Sequence, residues 1–473
     1  MRDVIITLII FGGIPFVFAR PWIGILLFSW VSYMNPHRLT YGFAYSFQFA
    51  LIVALVTIIA YAISREPKKI PVTPVTTLLL MFIAWTSITT VTALAPEASS
   101  TQYTTFIKIQ LMTFLALTMM ISRERLNWLI IIIVVSIGFY GVRGGVFSIL
   151  TGGNYRVWGP AGSFFEDNNH LALTLIMTMP FMHYLQLVAD NKWKRHLLSG
   201  VMLLTLVAII GTYSRGALLA LAAMSLVLWL RSSKKFVIGL AGIVCVVGVL
   251  SMMPQKWFDR MDTINTYKED ESASGRLDAW LFAINVANDR VLGGGFKVNT
   301  RADIWPIYNP EAPTHRAPHS IYFEVLGEHG WIGLFIFLSL GATAFFTCGR
   351  TVKLTKNRPD LKWAADLSKM MQVSLVGYAA AGTFLNLSTF DLYYHVLAII
   401  VMTRYLVGLE LKVPVANLET PEGVDPPAHV AEASGGPQNG RQPEPGREKI
   451  APNPQPSAEG NLGGASGYLI KRR

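Results

Sequence analysis

The chain has 473 residues, of which 52% are hydrophobic and 15% are charged, and its net charge is +11. A soluble protein of this length would divide into several domains, but here apolar runs of about 18 or more residues recur. The first run, from Val4, is not followed by a small-residue cleavage site, so we expect a retained span rather than a signal peptide. The two cysteines make no disulfide framework, and the absence of CxxC, HExxH, Walker and dinucleotide glycine patterns predicts no metal ion and no cofactor.

The positive charge is distributed in short clusters between the apolar runs. These clusters lie at 65–69, 123–125, 192–195, 231–235 and 350–358. Such spacing is typical of cytoplasmic loops in a multi-pass membrane protein. We therefore assign the charge to membrane topology and predict no nucleic-acid partner.

If the basic clusters lie in the cytoplasm, the apolar runs between them are the predicted spans. They cover residues 44–63, 76–94, 104–122, 126–148, 170–188, 197–213, 216–230, 236–253, 319–347, 367–386 and 390–411. Residues 1–34 contain two short apolar stretches broken at Arg20-Pro21. If Met1 and the basic cluster that follows the span 44–63 both lie in the cytoplasm, the chain must cross the membrane an odd number of times before residue 43. We therefore expect residues 1–34 to form one broken or partly re-entrant unit. The prediction is an all-α integral membrane protein with about twelve transmembrane helices.

Two external loops are long enough to carry a site, 150–169 and 254–318. The second contains residues 275–290, whose apolar positions recur at helical spacing and predict an amphipathic helix on the membrane face. These positions are Leu277, Trp280, Leu281, Ile284, Val286 and Ala287. We expect residues 1–411 to form a polytopic membrane catalytic domain. Residues 412–473, rich in Pro, Gly, Glu and Ala, are predicted to form a disordered cytoplasmic tail.

Two arginines on the external side are candidate anion ligands. Arg215, in the sequence TYSRGALL, lies between two apolar runs, and Arg276 begins the amphipathic helix. Arg215 could be a helix-end residue that reaches lipid headgroups, and Arg276 could be a solvated loop charge. A guanidinium is also a rigid fork that suits phosphate, so the pair could clamp a diphosphate.

Further basic residues are candidates for substrate binding. Arg143 lies near the outer end of a span, where it could either form an ion pair with a nearby carboxylate or bind substrate. Arg156 and Lys297 could bind substrate or could be ordinary loop charges.

The segment GSFFEDNNHLAL, residues 162–173, leads into another span. Asp167 or Asn168 is a suitable helix N-cap. Asn168, Asn169 and His170 could instead hydrogen-bond to sugar hydroxyls. The aromatic residues of this loop suit either sugar stacking or an interfacial belt.

The segment APHSIYFEVLGEHGWIGL, residues 317–334, places His319 at the start of a predicted span. A single histidine there could be a cap or packing residue, but histidine is also the side chain best suited to proton transfer near neutral pH. Tyr322 is a further substrate-binding candidate. The glycines that recur every three residues, Gly327, Gly330 and Gly333, favour close helix contact. Glu324, Glu328 and His329 have no assigned role from the sequence.

Residues 1–411 resemble the O-antigen ligase and polymerase superfamily, and within it the exosortase-associated O-glycosylation ligases. The motif is H[N/S]-x9-G-x-x-G, which here is His319-Ser320, nine residues, Gly330, two residues and Gly333. Arg215 in SRG, Arg276 in SGRLDAW, Gly293–Gly295 and GSFFEDNNHLA also match the family pattern. Ser320 stands where many relatives have Asn.

This resemblance implies a GT-C type glycosyltransferase in the bacterial inner membrane with a periplasmic active site. It implies transfer of a glycan from undecaprenyl pyrophosphate to a lipid A–core acceptor without a metal ion. Our hypothesis is that Arg215 and Arg276 hold the pyrophosphate and that His319 takes the proton of the attacking hydroxyl. Displacement in one step would invert the anomeric configuration.

Three alternatives remain open. A polymerase uses the same donor with a lipid-linked acceptor, and a protein O-oligosaccharyltransferase uses Ser or Thr. A polytopic anion transporter would use intramembrane arginines, but it should show paired broken helices in two halves of the chain. We find no such repeat, and the large external loop favours an enzyme. Residue types do not separate ligase from polymerase.

Overall fold

The computed structural model describes residues 1–231, 235–262, 271–312 and 315–412, and all regular structure in these ranges is helical. The helices are α1 (Arg2–Ala19), α2 (Trp22–Met34), α3 (Phe49–Ile63), α4 (Pro74–Val91), α5 (Pro96–Met119), α6 (Arg123–Leu150), α7 (Asn168–Val188), α8 (Lys192–Gly211), α9 (Arg215–Arg231), α10 (Lys235–Leu250), α11 (Gln255–Asp262), α12 (Glu271–Asp289), α13 (Trp305–Tyr308), α14 (Ile321–Leu354), α15 (Lys362–Gly382) and α16 (Asp391–Glu410). The predicted tail 412–473 lies outside the described residues except for Lys412.

Seven described helices, α1, α4, α6, α7, α8, α14 and α16, are long and apolar enough to cross a membrane, and shorter apolar helices accompany them. The prediction of an all-helical, multi-pass membrane protein is therefore confirmed, while the number of about twelve crossings stays a prediction. Helices α16 and α7 are the most buried of the seven, at 78% and 67% of their apolar windows. They are therefore central to the bundle.

Polar caps explain where several helices begin. The Ser122 hydroxyl accepts a hydrogen bond from the amide of Arg125, and Asn191 accepts one from Trp193. At the start of α4, Thr73 and Thr76 cap one another reciprocally. Each cap satisfies amides that a helix start leaves without intrahelical partners, which fixes the end of the connecting loop.

Residues 1–34 form two antiparallel helices, and the break between them lies at Arg20-Pro21. The Asp3 carboxylate accepts hydrogen bonds from the amides of Gly42 and Ala44, which follow α2. Midway along the pair, Gly13 faces Leu27. The start of α1 and the loop after α2 therefore lie at the same end of the bundle. This corrects the expectation that Met1 lies on the same side as the 64–69 cluster.

One end of the bundle contains the loops 35–48, 92–95, 151–167 and 290–301, and we call it the loop end. The backbone of Leu94 bonds to Gly294, and that of Val157 bonds to Gly211. Since these bonds join segments from distant parts of the sequence, the loop end is one connected surface.

Helix α12 lies in the large loop where an amphipathic helix is predicted. Phe282, Ala283 and Val286 are buried, whereas Leu277 and Leu281 are 54% and 46% exposed. The small residues Ala279 and Ala283 allow α12 to approach its neighbours closely. The exposed Leu277 and Leu281 do not contradict the prediction of an amphipathic helix on the membrane face.

Helix α14 contains a break at Gly330, whose φ of 69° and ψ of −175° are not helical. The amides of Gly294 and Gly295 donate to the carbonyls of Gly327 and Glu328 on the turn just before it. The predicted close helix contact applies to Gly327, which faces Ala283, and to Gly333, which faces Trp85. Gly330 has a different role, because it provides the break on which the 293–295 turn docks.

Glycines also set the contact between α6 and α8. A Cβ at Gly145 would collide with the backbone carbonyl of Leu204, and one at Gly141 would collide with the Thr205 hydroxyl. Small residues allow membrane helices to approach at backbone distance. Gly200, also on α8, has open space around it.

Replacing Gly145 with Ala should separate α6 from α8 and destabilise the protein by about 1–3 kcal/mol, because a backbone atom cannot move aside easily. Gly200→Ala is the matched control, and it should be neutral or stabilising by up to about 1 kcal/mol through helix propensity. The measurement is thermal unfolding in detergent by the fluorescence of buried tryptophans. Equal melting temperatures for the two variants would contradict the close packing.

Candidate active site

His319 lies at the loop end, immediately before α14, in the left-handed backbone region with a φ of 42°. Such a conformation costs a residue other than glycine roughly 1–3 kcal/mol and is often held at functional sites by its surroundings. The other described non-glycine residues with positive φ are Asn35, Tyr213 and Lys297, which also lie at the loop end. Strained backbone is thus concentrated at the loop end.

Trp280 of α12 holds the segment that precedes His319. Its indole Nε1 donates a 2.7 Å hydrogen bond to the carbonyl of Pro318. The ring also stacks on Phe323 with centroids 4.5 Å apart and planes 10° apart. Together these contacts fix the entry into α14 and hence the position of the His319 backbone.

Arg276 lies on the same helix as Trp280, one turn earlier. Residues four apart on a helix share a face, so Arg276 lies on the side of α12 that holds Pro318. Its positive charge acts directly on the His319 imidazole. The structure therefore brings together these two residues, which the sequence predicts as catalytic.

The imidazole of His319 is exposed in part, yet the surrounding protein withdraws much of it from water. This desolvation lowers the pKa of His319 below its usual value, and the positive charges of Arg276 and protonated His170 lower it further. The Asp167 carboxylate acts in the opposite direction. At neutral pH the imidazole is therefore neutral and able to accept a proton.

The start of α7 lies beside His319. The Asp167 carboxylate accepts hydrogen bonds from the amides of Asn169 at 2.8 Å and His170 at 3.3 Å, so Asp167 is the N-cap of this helix. The Asn169 side chain also donates to Asp167. Asn168 is 5% exposed and donates to the carbonyl of Thr212 at 2.7 Å. Of the three predicted sugar-binding residues, His170 is the one whose side chain interacts electrostatically with His319.

Arg215 begins α9, directly after the turn to which Asn168 is bonded. The Ser214 hydroxyl accepts a hydrogen bond from the amide of Ala217, and the preceding Tyr213 has a φ of 60°. A helix start presents amide hydrogens and a partial positive charge, which favour an anion. The Asn168–Thr212 bond ties this helix start to that of α7.

Lys297 reaches the same cluster from the other side. Its φ is 60°, and its backbone amide donates a 2.8 Å hydrogen bond to Glu328. Its charge acts on His170, as does the charge of Glu324. The docked 293–297 turn therefore positions Lys297 near the start of α7.

Glu324, Glu328 and His329 of α14 have no role predicted from the sequence, and each forms hydrogen bonds in the structure. Glu324 accepts a hydrogen bond from the amide of Ser388 at 3.0 Å, and Glu328 accepts one from Lys297. His329 Nδ1 lies 2.7 Å from the hydroxyl of Thr89, and its carbonyl accepts from Trp85. These side chains fasten loops and α4 to α14, which explains their burial.

Two predicted substrate-binding residues, Arg143 and Arg156, lie apart from His319. Arg143 and Arg156 line a separate cavity of about 820 Å³, and Arg156 also lies 5.8 Å from the centre of the Tyr213 ring. The hydroxyl of Tyr322 donates to the carbonyl of Ala379 on α15, and its ring lines an apolar groove between α14 and α15.

Sequence reasoning missed two residues that shape the site. Asn386 accepts a 3.3 Å hydrogen bond from the amide of Ser320, and Trp280 was predicted only as an apolar position. A tryptophan one turn after Arg276 was a usable signal, because indole N–H groups usually find a partner when buried. No local pattern marks Asn386, which lies 66 residues from its partner.

Residues 200–338 match a family model described as O-antigen ligase, and residues 1–190 match a family of unknown function (DUF5935). The match over residues 200–338 supports a relationship of this segment to the O-antigen ligase and polymerase superfamily. The matched O-antigen ligase segment contains Arg215, Arg276 and His319. A search of curated proteins gives no match. The cluster around His319 thus combines both matched segments, since α7 belongs to the first.

Replacing Trp280 with Phe should retain the stack on Phe323 and remove the hydrogen bond to Pro318. The freed segment should misplace His319 and lower the rate of glycan transfer about 10- to 100-fold, with little change in melting temperature. Trp229→Phe is the control, because its indole bonds to Lys235 at the far end of α9. A normal rate for the Trp280 variant would remove its positioning role.

Proposed function

We propose that the chain is an O-antigen ligase of the GT-C type, which transfers a glycan from undecaprenyl pyrophosphate to the lipid A–core acceptor. The reaction occurs at the periplasmic face of the bacterial inner membrane, which we assign to the loop end. The observation that supports this most directly is His319, which is held in a left-handed conformation beside Arg276 with its imidazole neutral at pH 7. The match of residues 200–338 to the O-antigen ligase family agrees with it.

In this proposal His319 is the general base. As the acceptor hydroxyl oxygen bonds to the anomeric carbon, its proton passes to the imidazole. The bond between that carbon and the pyrophosphate oxygen breaks in the same step, so the configuration inverts. The electron pair remains on the departing undecaprenyl pyrophosphate.

Arg215 and Arg276 stabilise the charge that develops on the leaving group. Arg215 adds a guanidinium to a helix start that already favours anions. Lys297 contributes a further positive charge near His170. This mechanism uses side chains of the chain itself and needs no metal ion or cofactor.

The polyprenyl chain of the donor would lie along the apolar groove between α14 and α15. This groove has a volume of about 240 Å³ and is lined by Tyr322 and by apolar residues such as Leu338 and Val376. Tyr322 is adjacent in sequence to the His319-Ser320-Ile321 segment, so the groove begins close to the base. Tyr322 would thus contact the lipid rather than the sugar.

Lipopolysaccharide gels of a deletion strain separate this proposal from its rivals. Loss of all attached O-chains with accumulation of lipid-linked chains is the expected result. Single repeat units retained on the core would indicate a polymerase instead. Normal lipopolysaccharide with an unglycosylated surface protein would indicate a protein acceptor.

Replacing His319 with Asn should lower transfer by about 100- to 10,000-fold, the usual contribution of a general base. Asn is chosen because it tolerates positive φ better than most residues, so folding should be preserved. Binding of the lipid-linked donor should be retained. His315→Asn, on the same loop and exposed, is the matched control and should complement the deletion strain fully. Full complementation by the His319 variant would overturn the base assignment.

The rate of transfer should rise with pH as His319 loses its proton, with the midpoint below the usual pKa of histidine. Asp167→Asn keeps a good N-cap for α7 and removes the negative charge that raises the pKa of His319. The acid limb of the pH–rate profile should therefore move to lower pH. A shift to higher pH, or none, would show that His319 is not the titrating base.

A further inference from the structure

A second cavity at the loop end lies apart from His319. It is bounded by α1, residues 36–41, α6 and residues 156–161, and has a volume of about 820 Å³. Four arginines line it, and we call it the four-arginine cavity. They are Arg2, Arg38, Arg143 and Arg156. All of its lining residues fall within the segment that matches the family of unknown function.

No carboxylate from the described residues neutralises these arginines. None of the described residues that line the cavity is acidic, and none of the four arginines forms an ion pair within the described ranges. Two acidic side chains on adjoining segments are already bonded to backbone amides. Glu166 accepts from Gly162, and Asp3 accepts from Gly42 and Ala44.

Arg38 is built into the wall of the cavity rather than extended into solvent. Its guanidinium lies 4.8 Å from the centre of the Tyr45 ring. It also lies against Gly162, whose φ of 72° and lack of a Cβ permit the approach. The Nε atom of Arg38 is buried without a hydrogen-bond partner among the described atoms. A buried donor without a partner costs stability unless a ligand supplies an acceptor.

The rest of the lining is apolar and faces outward. Ile5 of α1 and Phe139 and Phe147 of α6 line the cavity, and all three are exposed at the bundle surface. A ligand that satisfies both parts of the cavity has an anionic head and hydrocarbon chains. Arginine recognises phosphate through paired N–H donors, so the head most compatible with the cavity carries phosphate.

We propose that the four-arginine cavity binds the headgroup of a lipid that carries two phosphate groups. Two phosphate monoesters supply up to four negative charges, which balance the four guanidinium groups, and two phosphodiesters supply two. The cavity volume lies within the range of about 300–1,000 Å³ that is usual for ligand sites. Cardiolipin and lipid A both present this chemistry, one as a resident membrane lipid and the other as part of the acceptor.

This binding site does not depend on the proposed transfer reaction. The loop 151–167 separates the two sites, with Arg156 in the wall of the cavity and Asp167 capping the helix beside His319. If lipid A is the bound species, the cavity would hold the acceptor on the side of this loop opposite the base.

The test is native mass spectrometry of the purified full-length protein in detergent, titrated with bisphosphoryl lipid A, monophosphoryl lipid A, cardiolipin and phosphatidylcholine. We expect at least one of the two bisphosphorylated lipids to bind about tenfold more tightly than monophosphoryl lipid A and phosphatidylcholine, since a charged hydrogen bond is worth about that factor. The double variant Arg38→Gln/Arg143→Gln should abolish this preference. Arg65→Gln, an exposed arginine beyond the far end of α3, is the control and should retain it.

The double variant Arg38→Lys/Arg143→Lys preserves the positive charge and should retain part of the preference. It provides a second test in case the glutamine double variant folds poorly. Stronger binding of bisphosphoryl lipid A would identify an acceptor subsite, and stronger binding of cardiolipin would identify a resident-lipid site. Equal binding of all four lipids, or an undiminished preference in the glutamine pair, would overturn the proposal. His319→Asn should bind these lipids as the wild type does, so failure of the transfer mechanism would leave this result unchanged.

Discussion

The mutual contact of Gly293 and Gly330 is the constraint on which the loop end depends. A Cβ on Gly293 would collide with the backbone of Glu328 and Gly330, and one on Gly330 would collide with the carbonyl of Val291. Both residues also have positive φ, so glycine is favoured on conformational grounds as well. Because this contact docks the end of α12 on α14, it also sets where Trp280 meets Pro318.

The charged groups around His319 are held by backbone amides more than by opposite charges. Asp167, Glu324 and Glu328 each accept from main-chain N–H groups. An amide donor stabilises a carboxylate without adding a mobile side chain or a full positive charge.

The motif singles out His319, Arg215 and Arg276 because their spacing and their position outside the apolar runs are visible in the sequence, and their catalytic roles stay a prediction. The roles of Glu324 and Asn386 could not be predicted, because their hydrogen-bond partners lie 64 and 66 residues away in the sequence and only the fold brings them together. The direction of α1 was wrong because a parity argument depends on the assumed side of Met1. The alanines of α12 that pack against its neighbours, Ala279 and Ala283, were not predicted, because small residues give no strong periodic signal.

The loop 151–167 couples the two matched segments of the chain. The amide of Val157 bonds to the carbonyl of Gly211, and the Tyr213 hydroxyl donates to the carbonyl of Gly153. Both bonds run from the first matched segment to the second, just before Arg215. A movement of this loop on binding an anion at Arg156 would therefore pull on the turn that begins α9. The same turn is bonded to Asn168, so the position of Arg215 depends on the N-terminal segment as much as on its own helix.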